Sequence, residues 1–138
     1  MTSYRLGQAA RVLGVSVDTI RRHADAGRLK TTRTVGQHRL VDGADLARLA
    51  ESFELDDDTD SDSSARNHLL GIVTRVIADR VAAQVEMRCG PFRVVSLLTR
   101  ESVDAMRLEP GVMVRAVIKA TNVVVERATE RAPEGDPS

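Results

Sequence analysis

The chain has 138 residues with a formal net charge of zero; 42% of them are hydrophobic and 29% are charged. This balance fits a soluble protein of one ordinary domain or two small ones, and no apolar run is long enough to cross a bilayer. The single cysteine, Cys89, excludes an internal disulfide, and three scattered histidines are too few for a zinc site. Because no charged-then-apolar leader is present, we predict a cytoplasmic protein.

Charge is distributed unevenly along the chain. Residues 1–50 carry nine Arg or Lys against four Asp or Glu, whereas residues 51–63 carry seven acids and no base. Residues 64–138 carry eleven bases against nine acids, and Lys119 is the only lysine among them. A basic head, an acidic connection and a nearly neutral body indicate two modules with different partners.

The pattern of residues 4–30 predicts two short helices joined by a tight turn. Gly14 interrupts the first helical repeat, Ser16 is a favourable N-cap for the second helix, and Gly27 ends it. A connection of three residues is the length found in a helix-turn-helix. The two predicted apolar faces consist of Leu6, Ala9 or Ala10 and Leu13, and then of Val17, Ile20 and Ala24.

The rest of the basic head predicts a hairpin and a third helix. "KTTRTVGQHRLV" is rich in Thr and Val around Gly36–Gln37, which indicates two short strands. Asp42 can then cap a helix that places Leu46, Leu49 and Phe53 on one face. The following stretch "ELDDDTDSDS" has almost no apolar residues, so we predict a flexible acidic linker over residues 54–63.

Five Val- and Ile-rich runs follow the linker. They are "LLGIVTRVI", "RVAAQVEMR", "FRVVSLL", "VMVRAVIKA" and "NVVVER", and in the second Val81, Ala83, Val85 and Met87 alternate onto one face. Between the third and fourth runs, "TRESVDAMRL" predicts one short helix capped by Thr99. Five strands with one inserted helix indicate a small barrel of the oligonucleotide/oligosaccharide-binding (OB) type.

We therefore predict an α+β fold with two domains. Residues 1–53 form a winged helix-turn-helix, residues 54–63 the linker, residues 64–127 the five-stranded OB-like barrel with its inserted helix, and residues 128–138 a disordered tail.

The basic head has the side chains of a DNA-binding surface. Polar residues of the second helix lie mostly away from its apolar face, and they are of types that reach phosphates and base edges. With only three aromatic residues in the whole chain, base stacking on single strands is disfavoured and duplex DNA in the major groove is favoured. The alternative is that the arginines form the solvated face of a protein-binding adaptor. The candidate helix residues are Ser16, Thr19, Arg21, Arg22 and His23.

Residues 6–49 resemble the winged helix-turn-helix of the MerR/excisionase superfamily. The resemblance is carried by "VLGVSVDTIRR", then "AGRL", then "RTVGQHRL" and a helix. It implies that the second helix enters the major groove while the hairpin, as a wing, touches the backbone or minor groove. By position, Arg21, Arg22 and His23 would contact DNA from the helix, and Arg33, His38 and Arg39 from the wing.

The second half offers donors suited to an oxyanion. Ser64 and Ser102 provide hydroxyls, Arg66 and Lys119 provide cations, and the N–H groups of residues 100–102 lie at a helix start capped by Thr99. Each residue also has an ordinary structural interpretation: a strand-entry hydroxyl, an N-cap or an exposed lysine. No nucleophile–base pair is visible, so we do not predict an enzyme.

"SARNHLLGIVTRV" and "LLTRESVDAMRLEPGVMVRAVIKATNVVV" resemble the molybdate-binding Mop domain of the TOBE superfamily, from Ser64 to about Glu126. The resemblance implies that domains pair and hold molybdate or tungstate between subunits. Thr121–Asn122 departs from the family pattern, and the chain has one such domain, so another chain must complete the site. The ligands implied by position are Ser64 and Arg66, Thr99 and Ser102, and Lys119 with the backbone of Ala120.

Together these features predict a homo-oligomeric transcription regulator that binds double-stranded DNA and responds to molybdate or tungstate. No cofactor is expected, and no metal except the molybdenum or tungsten of the oxyanion. One alternative is an intracellular molybdate buffer whose head merely tethers it to DNA. Another is a barrel that itself binds nucleic acid, which the scarcity of aromatic residues disfavours.

Overall fold

The computed structural model describes residues 2–53 and 63–128, which fall into two compact units. The predicted linker, 54–63, lies outside the described residues apart from Ser63, and the predicted tail, 128–138, apart from Ala128. In the two described ranges, no helix combines the length and apolar character needed to span a membrane.

The first unit contains three helices and a small antiparallel sheet. All three helices pack with the sheet around one core, and the strands are ordered β1-β3-β2. Strand β1 was not predicted, because three residues without an apolar repeat give no signal of their own; the strand exists by pairing with β3. The elements are β1 (Ser3–Arg5), α1 (Leu6–Leu13), α2 (Val17–Asp25), β2 (Thr31–Arg33), β3 (Arg39–Asp42) and α3 (Gly43–Ser52).

Local signals set the helix boundaries of this unit. Gly14 ends α1 in the left-handed conformation, with φ of 67°, which a glycine adopts without steric cost. The Ser16 hydroxyl accepts the N–H of Thr19 at 3.1 Å and begins α2, and the Asp42 carboxylate accepts the N–H of Asp45 at 3.2 Å and begins α3. The three boundaries agree with the predicted ones.

The core of the first unit is built from the predicted helix faces and from the hairpin. Ile20 and Val41 are fully buried, and the predicted hairpin is present as β2 and β3 in antiparallel register. Each of these residues buries apolar area that would otherwise face water, so within the described residues the first unit has a core of its own. The buried set is Leu6, Ala9, Ala10, Ile20, Ala24, Leu29, Val41, Leu46 and Leu49.

The second unit is a curled antiparallel sheet with one helix. Its strand order is β6-β5-β4-β7, and the long strand β4 pairs with β7 through its first half and with β5 through its second half. The inserted helix follows β6 and is capped by Thr99, as predicted. The elements are β4 (Asn67–Ala78), β5 (Ala82–Cys89), β6 (Phe92–Thr99), α4 (Arg100–Met106) and β7 (Met113–Ile118).

The strand count of the predicted five-stranded OB-like barrel is wrong for the described part of the chain, where the curled sheet has four strands. The fifth predicted run, "NVVVER", begins in a 3-10 turn (Ala120–Asn122) and continues without regular structure. Its valines indicate a strand by composition, but a strand needs a neighbouring strand to pair with, and within residues 2–53 and 63–128 no strand pairs with them. Strands β6 and β7 therefore remain at the two edges of the sheet.

The inner face of the sheet follows the predicted alternation with one exception. Ala83, Val85 and Met87 are buried, as expected for a period-two strand. Val81 is 76% exposed, because the strand begins only at Ala82. The carboxylate of Asp79 accepts the N–H groups of Val81 and Ala82, each at 2.8 Å, and so fixes a turn before the strand.

Gly71 lies where β4 comes closest to the end of β5. A Cβ atom at this position would lie 2.5 Å from the Arg88 carbonyl oxygen and 2.6 Å from the Cys89 sulfur. Backbone atoms cannot move away as the tip of a side chain can, so only glycine fits. The position explains the glycine in the quoted "LLGIV" run and keeps the first half of β4 close to the buried Cys89.

Candidate DNA interface and oxyanion site

Helix α2 presents its polar side away from the core. Ile20 and Ala24 are buried, whereas Asp18, Arg21 and Arg22 are exposed on the remaining surface. The helical period of 3.6 residues produces this division, since residues 20 and 24 share one side and residues 18, 21 and 22 lie on the other sides.

The predicted DNA-contacting side chains of this helix are held by short-range bonds. Arg21 pairs with Asp18 at 3.2 Å, and Arg22 donates to the Thr19 hydroxyl at 3.3 Å. The Thr19 hydroxyl also lies 2.9 Å from that of Ser16. These exposed interactions are weak individually, so they orient the arginines without preventing them from turning to a phosphate.

His23 lies deeper than its neighbours on the helix. It is half-buried, its ring is tilted against that of Phe53 at 6.5 Å, and its Nδ1 lies 3.0 Å from the Arg28 guanidinium. Because a guanidinium can only donate, Nδ1 accepts and carries no proton in this arrangement. His23 thus links the helix to the end of α3, a role not predicted from the sequence.

The candidate DNA-contacting residues of the hairpin also differ in exposure: Arg33 is exposed, whereas His38 and Arg39 are half-buried. Arg33 donates to the Gln37 carbonyl at 3.0 Å and braces the turn, where Gln37 has φ of 65°. The Arg39 guanidinium pairs with Asp25 at 3.0 Å, and its side chain is only 21% exposed. Arg39 therefore fastens the hairpin to the end of α2. His38 is half-buried at the base of the turn, where its N–H donates to the Thr34 hydroxyl at 3.2 Å.

In the second unit, the sheet register joins two of the three segments predicted to bind the oxyanion. Asn67 lies opposite Ile118, so the segment carrying Ser64 and Arg66 lies next to that carrying Lys119. The Asn67 side-chain amide also donates to the Ile118 carbonyl at 3.1 Å. This hydrogen bond joins residues that are 51 apart in the sequence, so the role of Asn67 could not be assigned from the sequence alone.

The segment before β4 is itself tied down. The buried Ala65 donates its N–H to the Ser63 hydroxyl at 3.1 Å, and its carbonyl accepts from His68 Nε2 at 3.0 Å. A carbonyl can only accept, so His68 carries its proton on Nε2. These bonds bury Ala65 and leave Ser64 and Arg66 exposed on either side of it.

Arg66 and Lys119 lie where the start of β4 meets the end of β7, and they have no acidic partner among the described residues. Arg66 and Lys119 are both exposed, and neither forms an ion pair with a carboxylate of residues 2–53 or 63–128. Two uncompensated cations beside the exposed Ser64 and Ala120 make an electropositive corner with hydrogen-bond donors.

The third segment predicted to bind the oxyanion, which carries Thr99 and Ser102, does not lie at the electropositive corner. The Thr99 hydroxyl accepts the Ser102 N–H at 3.1 Å and lies 2.9 Å from the Ser102 hydroxyl, so both residues cap α4. The sequence suggested free N–H groups over residues 100–102, but the Arg100 N–H is also taken, by the Val81 carbonyl at 2.9 Å. Within this turn only the Glu101 N–H is left without a recorded partner.

The two groups of candidate residues lie at opposite ends of β4. Thr99 pairs with Ala82 beside the end of β4 at Ala78, whereas the electropositive corner adjoins its start at Asn67. Eleven residue steps separate these ends, about 36 Å along the strand. A single chain therefore does not bring all six predicted ligands together.

The chain is a two-domain protein. Its first unit has three helices, a tight helix–helix turn and a hairpin, and its second unit is a curled β-sheet with one helix. Family models match both units: residues 3–53 match a helix-turn-helix domain and residues 63–125 match the TOBE domain. The chain therefore consists of a helix-turn-helix domain followed by a TOBE domain.

Part of the chain is similar to a curated protein. The chain is 37% identical over 95 residues to the molybdenum-pterin-binding protein MopB of Rhodobacter capsulatus. The aligned region covers 62% of this chain and 35% of MopB. The chain thus spans about a third of that relative's length.

Two solved structures are also similar. A molybdate-binding protein from Sporomusa ovata is 32% identical over 47% of this chain and 97% of its own, with a TM-score of 0.46. MopII from Clostridium pasteurianum is 30% identical over 47% of this chain and 98% of its own, with a TM-score of 0.45.

Proposed function

We propose that the protein is a transcription regulator that binds duplex DNA through residues 2–53 and molybdate or tungstate through its TOBE domain. The observation that carries the proposal is the electropositive corner, where Arg66 lies beside Lys119 in the β4–β7 register and neither pairs with a carboxylate of the described residues. The union of a helix-turn-helix domain with a TOBE domain supports it, as does the similarity to a molybdenum-pterin-binding protein.

The corner suits a tetrahedral dianion for chemical reasons. Two cations offset a charge of −2, and the Arg66 guanidinium offers directed N–H donors where the Lys119 ammonium offers a compact point charge. The Ser64 hydroxyl and the Ala120 backbone add neutral donors at the same corner. Tungstate has the same charge and nearly the same shape as molybdate, so both are expected to bind.

Thr99 and Ser102 of a second copy would complete the site. In one chain these hydroxyls are about 36 Å along β4 from the corner, but a symmetric pair can place one end of each chain against the opposite end of its partner.

The unpaired parts of the sheet support such a pair. Strands β6 and β7 have open edges, and they flank an apolar groove of about 640 Å³. Val124 and Val125, just after the last strand, are 84% and 89% exposed. An open edge and an exposed β-prone segment both gain hydrogen bonds and apolar burial by pairing with a second copy.

The ligand would act as a clamp on one arrangement of the pair. Because the ligand touches both copies, it favours the arrangement in which the two halves of the site meet. That arrangement would fix the spacing of two helix-turn-helix domains, which must match DNA half-sites about 34 Å apart. The switch requires the ligand to bind this arrangement more tightly than others.

On DNA, we assign direct contacts to the exposed face of α2 and to the hairpin. Arg21 and Arg22 project from the helix, with Ser16 and Thr19 at its N-terminal end and His23 nearer the core. In the hairpin, Arg33 and His38 lie at the turn, and Arg39 acts through its Asp25 pair by holding the hairpin in place.

Calorimetry on the full chain tests the ligand. We expect molybdate and tungstate to bind at one site per chain and sulfate to bind at least tenfold more weakly. Sulfate is the matched control, because it has the same charge and a smaller tetrahedron. Tighter binding of sulfate than of either larger anion would contradict the assignment.

Mixing two variants tests whether the site is shared between copies. Arg66→Ala chains and Thr99→Ala/Ser102→Ala chains should each bind poorly alone. In mixed pairs, one of the two sites receives only unaltered residues, so refolding an equimolar mixture should restore tight binding at about a quarter of the sites. A site formed within one chain predicts no restoration.

A DNA-binding titration with and without molybdate separates the regulator from the buffer. For a regulator, saturating molybdate should change the affinity for a two-half-site duplex at least fivefold, which corresponds to about 1 kcal/mol of coupling. The same measurement on a single half-site is the control and should show no change. Equal affinities on both duplexes with and without ligand would support the buffer instead.

A further inference from the structure

The outer face of the TOBE sheet carries a cluster of positive charge. Arg75 lies opposite Glu86, and Arg88 lies opposite Arg93, on the face turned away from the buried Val85 and Met87. We call this surface the arginine face; it consists of Arg75, Arg88 and Arg93, and Glu86 is the one acidic residue that the described strands place on it.

One carboxylate does not neutralise this cluster. Glu86 pairs with Arg93, and the neighbouring Arg93 and Arg75 guanidiniums hold the pKa of Glu86 below its usual range, so the carboxylate stays ionised. The Glu86 side chain is only 15% exposed, and its carboxylate accepts hydrogen bonds from both Arg93 and Gln84. Arg75 and Arg88 then remain as excess charges beside it, both exposed.

Two of these arginines face each other across neighbouring strands. Like charges directly opposite each other on neighbouring strands repel, and the Arg88 and Arg93 pair is of this kind. A bound anion would relieve the repulsion. In the register, the exposed Ile72 lies opposite Arg88 and the exposed Val95 lies opposite Glu86, so among the described strand residues Glu86 is the one carboxylate beside these arginines.

We propose that the arginine face binds the phosphates of the DNA flanking the helix-turn-helix site. The inference rests on the proposed DNA binding. Residues 54–62 connect the two domains, and a fully extended chain of this length spans at most about 35 Å, so the face stays near any duplex held by the first domain. At that effective concentration, two weak phosphate contacts add measurably to affinity.

The chemistry favours a phosphate backbone over bases. Guanidiniums bind phosphate oxygens through paired N–H groups, and contacts with phosphates carry no sequence information. The face has aliphatic neighbours but no aromatic side chain, so it offers no platform for stacking single-stranded bases. The face should therefore increase affinity for long duplexes of any flanking sequence.

The test compares two double variants of the full chain. Arg75→Ser/Arg88→Ser removes the excess charges and keeps the Arg93–Glu86 pair. The control, Arg80→Ser/Arg107→Asn, removes two exposed arginines from other parts of the domain, and asparagine tolerates the φ of 52° at position 107. Both pairs carry the same change of charge.

Affinity for a 40-base-pair duplex is measured by fluorescence anisotropy at several salt concentrations. Each lost phosphate contact lowers the slope of log Kd against log salt by about 0.9, so the test variant should lose about 1.8 and the control none. On a duplex limited to the helix-turn-helix site, both variants should match the unaltered protein.

Three outcomes would overturn the inference. An unchanged slope in a protein that otherwise binds DNA removes the arginine face and leaves the proposed function intact, whereas no DNA binding by the unaltered protein removes both. A lower oligomeric mass of the test variant in light scattering would show that the face is a contact between copies. Molybdate-induced stabilisation, expected to be equal in all three proteins, verifies that the variants are folded.

Discussion

The two domains differ in how much of their function one chain can build. The helix-turn-helix domain closes its core within residues 2–53, and its predicted DNA-contacting side chains already lie on one helix and one hairpin. Within the described residues, the TOBE domain leaves the outer edges of strands β6 and β7 unpaired, and its candidate ligands lie at the two ends of β4. The proposed oxyanion site, with its candidate ligands at both ends of one long strand, therefore requires a second copy.

The difference has a physical consequence for regulation. A surface built within one chain is present at any protein concentration, whereas a site shared by two copies forms only as the copies associate. Ligand binding by the TOBE domain should therefore depend on protein concentration, and the fold of the helix-turn-helix domain should not. The predictions that follow perturb one domain at a time and ask whether the other responds.

The largest effect is expected from emptying the core of the first domain. Ile20 is fully buried, so Ile20→Ala should reduce the stability of this domain by about 2–5 kcal/mol. Hydrogen-exchange mass spectrometry, which reports opening of each segment, should show faster exchange across residues 6–49 alone. Molybdate affinity should be unchanged.

The control is Val12→Ala on the same domain. Val12 is 69% exposed on α1, and its truncation should change stability by no more than about 0.5 kcal/mol. Faster exchange in the TOBE domain of the Ile20→Ala protein would show that the two domains fold as one unit, against the comparison made above.

The next effect is on the TOBE domain. At a hundredfold excess over the dissociation constant, molybdate should stabilise the unaltered protein by about 2.7 kcal/mol. Arg66→Ala should remove most of this stabilisation, because the remaining Lys119 offsets only one of the two charges of the anion. Thermal denaturation with and without molybdate measures the change. Arg80→Ala, at the exposed β4–β5 turn, is the matched control; an equal loss there would mean that net charge rather than position matters.

A smaller effect distinguishes two roles of Ser16. Its hydroxyl caps α2, so Ser16→Ala should destabilise the first domain by about 1 kcal/mol. Ser16→Asp keeps the cap and the stability but places a negative charge where a phosphate is expected. DNA affinity should therefore fall in Ser16→Asp although its unfolding midpoint is preserved. Unaltered DNA affinity in Ser16→Asp would remove this end of α2 from the proposed interface.

Much of the fold could be predicted because its signals are local. Ser16, Asp42 and Thr99 cap helices through bonds three residues away, and the alternation of β5 was visible in its residues. The fifth strand was wrong because valines alone cannot supply a hydrogen-bonding partner. Val81 was misplaced because a turn fixed by Asp79 starts the strand one residue later.

The candidate sites show the same limit more clearly. Motif resemblance indicated Ser64, Arg66 and Lys119, but only the β4–β7 register shows which of them are neighbours. In that register Asn67 pairs with Ile118, 51 residues away in the sequence. Likewise the Arg39–Asp25 pair joins residues fourteen apart, so the bracing role of Arg39 was not visible in the sequence. Tertiary pairing decides whether a charged side chain is available to a ligand.

The smallest expected effect is confined to acid and to the first domain. Asp45 is buried, and the Lys30 N–H that donates to its carboxylate at 2.7 Å, helped by the Arg48 guanidinium, holds the pKa of Asp45 below its ordinary value of 3.8. A lowered pKa in the folded state means that the carboxylate stabilises the fold above about pH 4. This contribution is lost as the pH falls through the folded value, because the protonated form loses its charge-assisted bonds.

Asp45→Asn can still accept the Lys30 N–H through its amide oxygen but cannot titrate. The variant should be less stable than the unaltered protein at pH 6, and the difference should shrink as the pH is lowered below 4. Denaturant unfolding of the first domain, followed by hydrogen exchange across pH 2.5–6, measures it. Asp18→Asn, whose carboxylate is 87% exposed, is the control and should follow the unaltered protein throughout. A constant difference between Asp45→Asn and the unaltered protein would mean that Asp45 acts through shape and hydrogen bonding alone, and that the first domain does not depend on this buried charge.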